Sequence, residues 1–185
     1  SPPPSMRADS GVGGIALLPM TSALPAPDPT ADAPLDAELS GWRRYLHTIP
    51  ETGFAEHRTS AFVARTLRAL GPEVHEGIGG TGLVANLRVG EGPGTIGIRA
   101  EMDALDIAES APGRAHASAT PGKMHACGHD GHMSIVLGAA RLLRERRDFD
   151  GTVRFVFQPA EEHGRGAKAM MADGLFERFP VDEIY

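Results

Sequence analysis

The most constraining segment of the chain is Thr152-Val153-Arg154-Phe155-Val156-Phe157, an almost unbroken run of β-branched and aromatic residues. A half-exposed strand alternates apolar with polar side chains. A run of this kind needs cover on both faces, which suits a strand inside a sheet with helices on either side. The residues before it read as such a helix: Met133, Val136, Leu137, Ala140 and Leu143 recur at helical spacing between Gly131 and Arg147. Arg144, Arg146 and Arg147 lie at its C-terminal end, where the helix dipole favours cations.

The same alternation runs through the rest of the chain. Asp36 is placed to cap a helix reaching about His47 and stopped by Pro50. A second helix fits Arg58 to Leu70, closed by Gly71-Pro72. Thr81 to Val89 and Thr95 to Ala100 read as strands around the glycine-rich turn 90–94. Gly166 to Phe179 reads as helix and Val181 to Tyr185 as the start of another strand. The expected fold is α/β, three-layered, with a mixed, largely parallel sheet and flanking helices.

Residues 1–34 hold eight of the fifteen prolines and read as a flexible Pro-rich tail, leaving 35–185 as the globular portion. Met6-Arg7 and the run Gly11 to Leu18 resemble a signal peptide only faintly, because Asp9 interrupts the positive region. One cysteine forms no intramolecular disulfide, and a cytoplasmic location is expected. No run of eighteen apolar residues suggests a membrane span. The net charge, 18 − 24 = −6, argues against binding nucleic acid through its phosphates.

Gly77-Ile78-Gly79-Gly80-Thr81-Gly82 matches the glycine pattern of dinucleotide-binding loops. That chemistry needs a helix starting at the loop to hold the pyrophosphate. Leu83 to Val89 follows instead and reads as strand, so the segment is read as a turn.

Four of the eight histidines fall between His125 and His163. His125-Ala126-Cys127-Gly128-His129-Asp130-Gly131-His132 offers imidazole, thiolate and carboxylate donors to a borderline divalent metal. Cys127 and His129 are two apart, so in an extended segment both point to one side, and Asp130 is placed to orient a ligand. A structural zinc site would call for more than one cysteine. Glu161-Glu162 follows the buried strand directly; one carboxylate can bind metal while its neighbour moves a proton. A third acidic segment, Glu101-Met102-Asp103, ends another predicted strand, and ligand sites in open α/β sheets gather at strand C-termini.

The runs R-A-E-M-D-A-L, M-H-A-C-G-H-D-G-H and F-Q-P-A-E-E-H-G-R-G strongly resemble the metal-dependent amidohydrolases of the M20 peptidase group. The nearest branch holds hippurate hydrolases, N-acyl-amino-acid deacylases and auxin-conjugate hydrolases. The resemblance covers about residues 38–185 and implies a partial di-metal aminopeptidase-like catalytic domain. It implies two divalent metal ions (zinc, manganese, cobalt or nickel), with Cys127, His129 and Glu162 as ligands and Cys127 bridging. Glu161 would be the general base, and Asp103 would support the site. Glu101 stands where this branch usually shows Asp, one methylene longer. The implied activity is hydrolysis of the amide bond of N-acyl amino acids or related small conjugates, in a parent expected to be a homo-oligomer. No nucleic-acid or membrane partner is expected.

Family members carry further ligating histidines and a smaller dimerisation and lid domain downstream. The chain is therefore expected to be an N-terminal portion, inactive by itself, with an open sheet edge. The alternatives are a non-catalytic truncated metal-binding fragment, and a Cys127 nucleophile that would leave Glu161-Glu162 without a task.

Overall fold

The computed structural model describes residues 23–28, 33–110 and 113–185. Most of the Pro-rich tail lies outside the described residues. In chain order the elements are α1 (Leu35–Thr48), α2 (His57–Leu70), β1 (Glu73–Ile78), β2 (Gly82–Val89), β3 (Thr95–Glu101), α3 (His129–Arg146), β4 (Gly151–Gln158), α4 (Gly166–Ala172), α5 (Leu175–Arg178) and β5 (Glu183–Ile184).

The apolar run of β4 is central, as its composition demands. The sheet order is β1-β2-β4-β3-β5, with β1–β2 and β2–β4 antiparallel and β3 parallel to both β4 and β5. Val153, Phe155 and Phe157 join Trp42, Leu46, Phe62, Leu67, Met133 and Leu137 in the core under α1, α2 and α3. Val156 faces the other way, into a smaller core with Ile78, Val84, Met170, Leu175 and Phe179 beneath α4 and α5. Helices thus cover both faces, giving the three expected layers around a mixed sheet. Arg154, the polar residue of the run, donates to Asn86 Oδ1 at 2.8 Å and to the Pro180 carbonyl at 2.9 Å.

Four local readings change. Pro34, not Asp36, is the N-cap of α1, and Asp36 sits in the first turn without a capping hydrogen bond. There it faces the positive end of the helix dipole instead. Helix α3 starts at His129, two residues before Gly131, because Gly128 adopts φ +90° and its carbonyl already accepts from the Gly131 and His132 amides. The helix expected over 166–179 breaks at Gly174, whose φ is +80°. Strand β1 was not legible, since this edge strand is largely exposed and lacks an apolar rhythm. Of the run Gly77 to Gly82, residues 79–81 form the connection between β1 and β2, and no helix starts there. No helix among the described residues is long and apolar enough to cross a membrane.

Phe155 is fully buried, whereas Ile135 on α3 is 63% exposed. Phe155→Ala is expected to cost about 3–5 kcal/mol, and Ile135→Ala about 0.5 kcal/mol or less. Urea denaturation followed by circular dichroism reads both.

Candidate metal centre

Parallel pairing puts Glu101 of β3 opposite Gln158 of β4, so the two strands finish side by side. The chain beyond β3 supplies Asp103 and the chain beyond β4 supplies Glu161 and Glu162. Helix α3 begins at the same end of the sheet and contributes His129 from its first turn. Cys127, His129 and Glu162 each place a donor atom within 4.8 Å of the others. The left-handed Gly128 between them turns Cys127 and His129 toward a common point. This replaces the extended segment expected from the sequence.

His129 is only 2% exposed and its Nδ1 faces the Asp103 carbonyl at 2.8 Å. That contact leaves Nε2 facing the two glutamates, 3.7 Å from Glu161 Oε2 and 3.9 Å from Glu162 Oε1. A backbone acceptor at one ring nitrogen is the usual way to fix a ligating histidine's tautomer. The Glu162 amide donates to Asp103 Oδ2 at 3.0 Å, tying the two strand ends together.

The electrostatics are those of a cluster of acidic groups around one imidazole and one thiol. Burial works to raise the Asp103 carboxyl, yet the His129 ring 3.4 Å from Oδ1 and hydrogen bonds from the Glu162 and Glu161 amides outweigh it and hold it below the usual range. Burial works to lower His129, but the Asp103 hydrogen bonds and the charges of Glu101 and Asp103 lift it to about 8. The Cys127 thiol is pushed up, first by its contact with Glu162 and then by burial. Asp103 Oδ1 and Glu162 Oε1 are buried without a hydrogen-bond partner among the described residues. Unpaired buried carboxylate oxygens beside a thiol and an imidazole fit a divalent borderline metal, which would satisfy them. The residues present therefore fit the implied ions.

Glu101 is held by Arg99 at 2.8 Å and by His132 at 2.9 Å. With His132 and His129 it forms a second grouping of possible ligands that shares His129 with the first. Asp130 does not orient His129: its carboxylate is 2.8 Å from His47 Nδ1 and 3.3 Å from Arg43. The reason is the early start of α3, which places Asp130 inside the first turn and turns it toward α1. His47 and Glu109 were not singled out in the sequence; they form, with Asp130 and His125, a buried polar layer behind the site. Scattered over more than eighty positions, they leave no local pattern.

Residues 97–185 match the model of peptidase family M20/M25/M40. The chain is 44% identical to the hippurate hydrolase of Campylobacter jejuni over 82% of its own length and 39% of the relative's. It is 42% identical to the N-acetyl-L-cysteine deacetylase of Bacillus subtilis over 77% of its length and 34% of the relative's. A solved Bacillus subtilis structure, described as a dinuclear metal-binding peptidase of this family, superposes with a TM-score of 0.77. Its sequence is 39% identical, over 83% of this chain and 43% of that one. The chain belongs to peptidase family M20/M25/M40. It spans about two fifths of the length of the hippurate hydrolase that it matches. The parallel register of β3 on β4 is what brings three short motifs distant in sequence to one end of the sheet.

Three histidines of this region are shifted in the metal-free chain, two upward and one downward. His129, raised from 6.5 to about 8, contributes stability that is complete below pH 6.5 and lost as pH rises through 8. His47, raised by its hydrogen bond to Asp130, acts in the same direction. His125, lowered to about 4 by burial, contributes stability that is complete above pH 6.5 and lost as pH falls toward 4. Thermal midpoints of the metal-free chain are expected to flatten on the alkaline side in His129→Gln and on the acid side in His125→Gln.

Proposed function

We propose that these residues form part of the catalytic centre of an amidohydrolase that cleaves the amide bond of N-acyl amino acids or related small conjugates. The observation that carries the reading is the convergence of Cys127, His129 and Glu162 within 4.8 Å, with Glu161 set 3.7 Å from His129 Nε2. The activities for which the hippurate hydrolase and the N-acetyl-L-cysteine deacetylase are named support the substrate class.

Divalent ions held by Cys127, His129 and Glu162 would supply the Lewis acidity that polarises an amide carbonyl and acidifies a water. The remaining work falls to the protein's side chains. The Glu161 side chain is 39% exposed and that of Glu162 only 18%. The more open Glu161 is the general base: it takes a proton from the attacking water and passes it to the amide nitrogen as the carbon–nitrogen bond breaks. The products are a carboxylate and a free amine. Glu162, lower and tied to Asp103 through its amide, is the ligand. Asp103 holds His129 with its ring turned toward the glutamates.

The same reading has these 185 residues hold a cation yet turn over little substrate by themselves, since Cys127, His129 and Glu162 alone are fewer ligands than two ions need. A zinc or manganese titration of the chain is expected to show binding that weakens in both Cys127→Ser and Glu162→Gln. Binding unchanged in both variants would remove these residues from the site.

Activity is tested in a chimera with residues 35–185 in place of the matching segment of the Bacillus subtilis deacetylase. The chimera is expected to hydrolyse N-acetyl-cysteine, and Glu161→Gln to lower kcat by about 100-fold or more. A folded, metal-loaded chimera without hydrolysis would overturn the reading.

A further inference from the structure

Glu56 is a buried carboxylate that the mechanism above leaves without a task. It is 0% exposed, and among the described residues no lysine, arginine or histidine reaches it as an ion-pair partner. A buried charge without a counter-ion is costly unless its oxygens are taken by strong donors. Both are taken. Oε1 accepts the Ala160 amide at 2.8 Å, and Oε2 accepts the Thr81 hydroxyl. Thr81 comes from the glycine-rich turn between β1 and β2, the segment that resembled a dinucleotide loop.

The amide that Glu56 captures belongs to an unusual residue. Ala160 is buried and adopts φ +46°, a left-handed conformation that a residue with a Cβ avoids. It stands directly before Glu161 and Glu162, so its backbone sets where both carboxylates point. Its carbonyl is also engaged, accepting from the Gly166 amide at 3.1 Å and the Arg165 amide at 3.3 Å. A strained elbow of this kind persists only where its surroundings over-determine it.

The segment 51–56 grips the neighbouring strand end as well. The Glu51 carbonyl accepts the Ala104 amide at 2.8 Å, and Thr52 forms a parallel bridge with Ala104, next to Asp103. A Cβ at Gly53 would lie 2.9 Å from Ala160 Cβ, so the strap lies flush against the elbow. One short segment thus holds the chain beyond β3 and the chain beyond β4, which meet again at the Glu162–Asp103 hydrogen bond.

We infer that Glu56 is a positioning residue: by holding the Ala160 amide it fixes the elbow that presents Glu161 as base and Glu162 as ligand. This rests on the metal-centre reading for its consequence, but not for the elbow itself. Gln at position 56 can still accept the Ala160 amide while donating to Thr81. Ala leaves both groups unpaired.

The test uses the 185-residue chain as wild type, Glu56→Ala, Glu56→Gln and Leu67→Ala, the last a core variant remote from the site that controls for lost stability. Hydrogen exchange is read at the Glu162 amide, which bonds Asp103 and not Glu56. Cobalt(II) is titrated against a competing chelator, with the thiolate-to-cobalt absorption band as the signature of Cys127.

In Glu56→Ala the Glu162 amide is expected to exchange about tenfold faster than in Leu67→Ala, after correction for global stability. Cobalt affinity is expected to fall about tenfold or more, and Glu56→Gln to restore both. If Glu56→Ala and Leu67→Ala agree in exchange and in cobalt affinity, the positioning role is wrong. If Glu56→Ala does not fold, Glu56→Asp, too short to reach both donors, takes its place and faces the same criteria. A wild-type chain that binds no cobalt would overturn the metal reading, while exchange at Glu162 would still decide the elbow.

Discussion

The parallel register of β3 on β4 carries the rest of the structure. Parallel neighbours run in the same sense, so with Glu101 opposite Gln158 the two strands end together and release their chains at one edge of the sheet. Asp103 and Glu162 are 59 positions apart in sequence, yet they share a hydrogen bond within a few residues of those strand ends. A parallel pair also requires a long crossover. Here the crossover contains α3, whose N-terminus returns His129 to the same edge. The β4 run is what makes the arrangement stable, because both of its faces are buried.

The site so formed is held in tension by its own charges. Glu101, Asp103, Glu161 and Glu162 surround a single buried imidazole, which responds by taking up a proton near neutral pH. Among the described residues, Asp103 Oδ1 and Glu162 Oε1 remain without donors. A divalent cation would resolve this better than protons do, since the donors that would hold it, His129 and Cys127, would give up their protons and the free oxygens would gain a partner. The polar layer behind the site, where His47 meets Asp130, anchors the first turn of α3 to α1. Its cost in desolvation is offset by the hydrogen bond between His47 and Asp130.

Much of this was legible from residue order. The β4 run, the α3 periodicity and the Gly71 stop are local patterns, and local patterns survive in one dimension. The Cys127–His129 and Glu161–Glu162 motifs are equally local, which is why their grouping could be expected. Strand β1 was not legible, because an exposed edge strand such as Glu73–Ile78 needs little apolar surface and shows no rhythm. The start of α3 was misplaced by two residues, since the left-handed turn at Gly128 leaves no mark on the residues around it. Residue order points to Asp130 as the group that orients a ligand, whereas the Asp103 carbonyl is what faces His129 Nδ1. Backbone carbonyls carry no sequence signal at all.

By itself the sequence determined the α/β class, the strand that must lie inside, the donor types and the family they resemble. These follow from side-chain chemistry and short-range periodicity. Only the tertiary structure decided which atoms meet: the Asp103 carbonyl under His129, the Glu162 amide on Asp103, and Glu56 beneath the Ala160 elbow. Those contacts join residues 26, 59 and 104 positions apart. They depend on strand register and on backbone groups that every residue carries alike, so no reading of residue types could single them out.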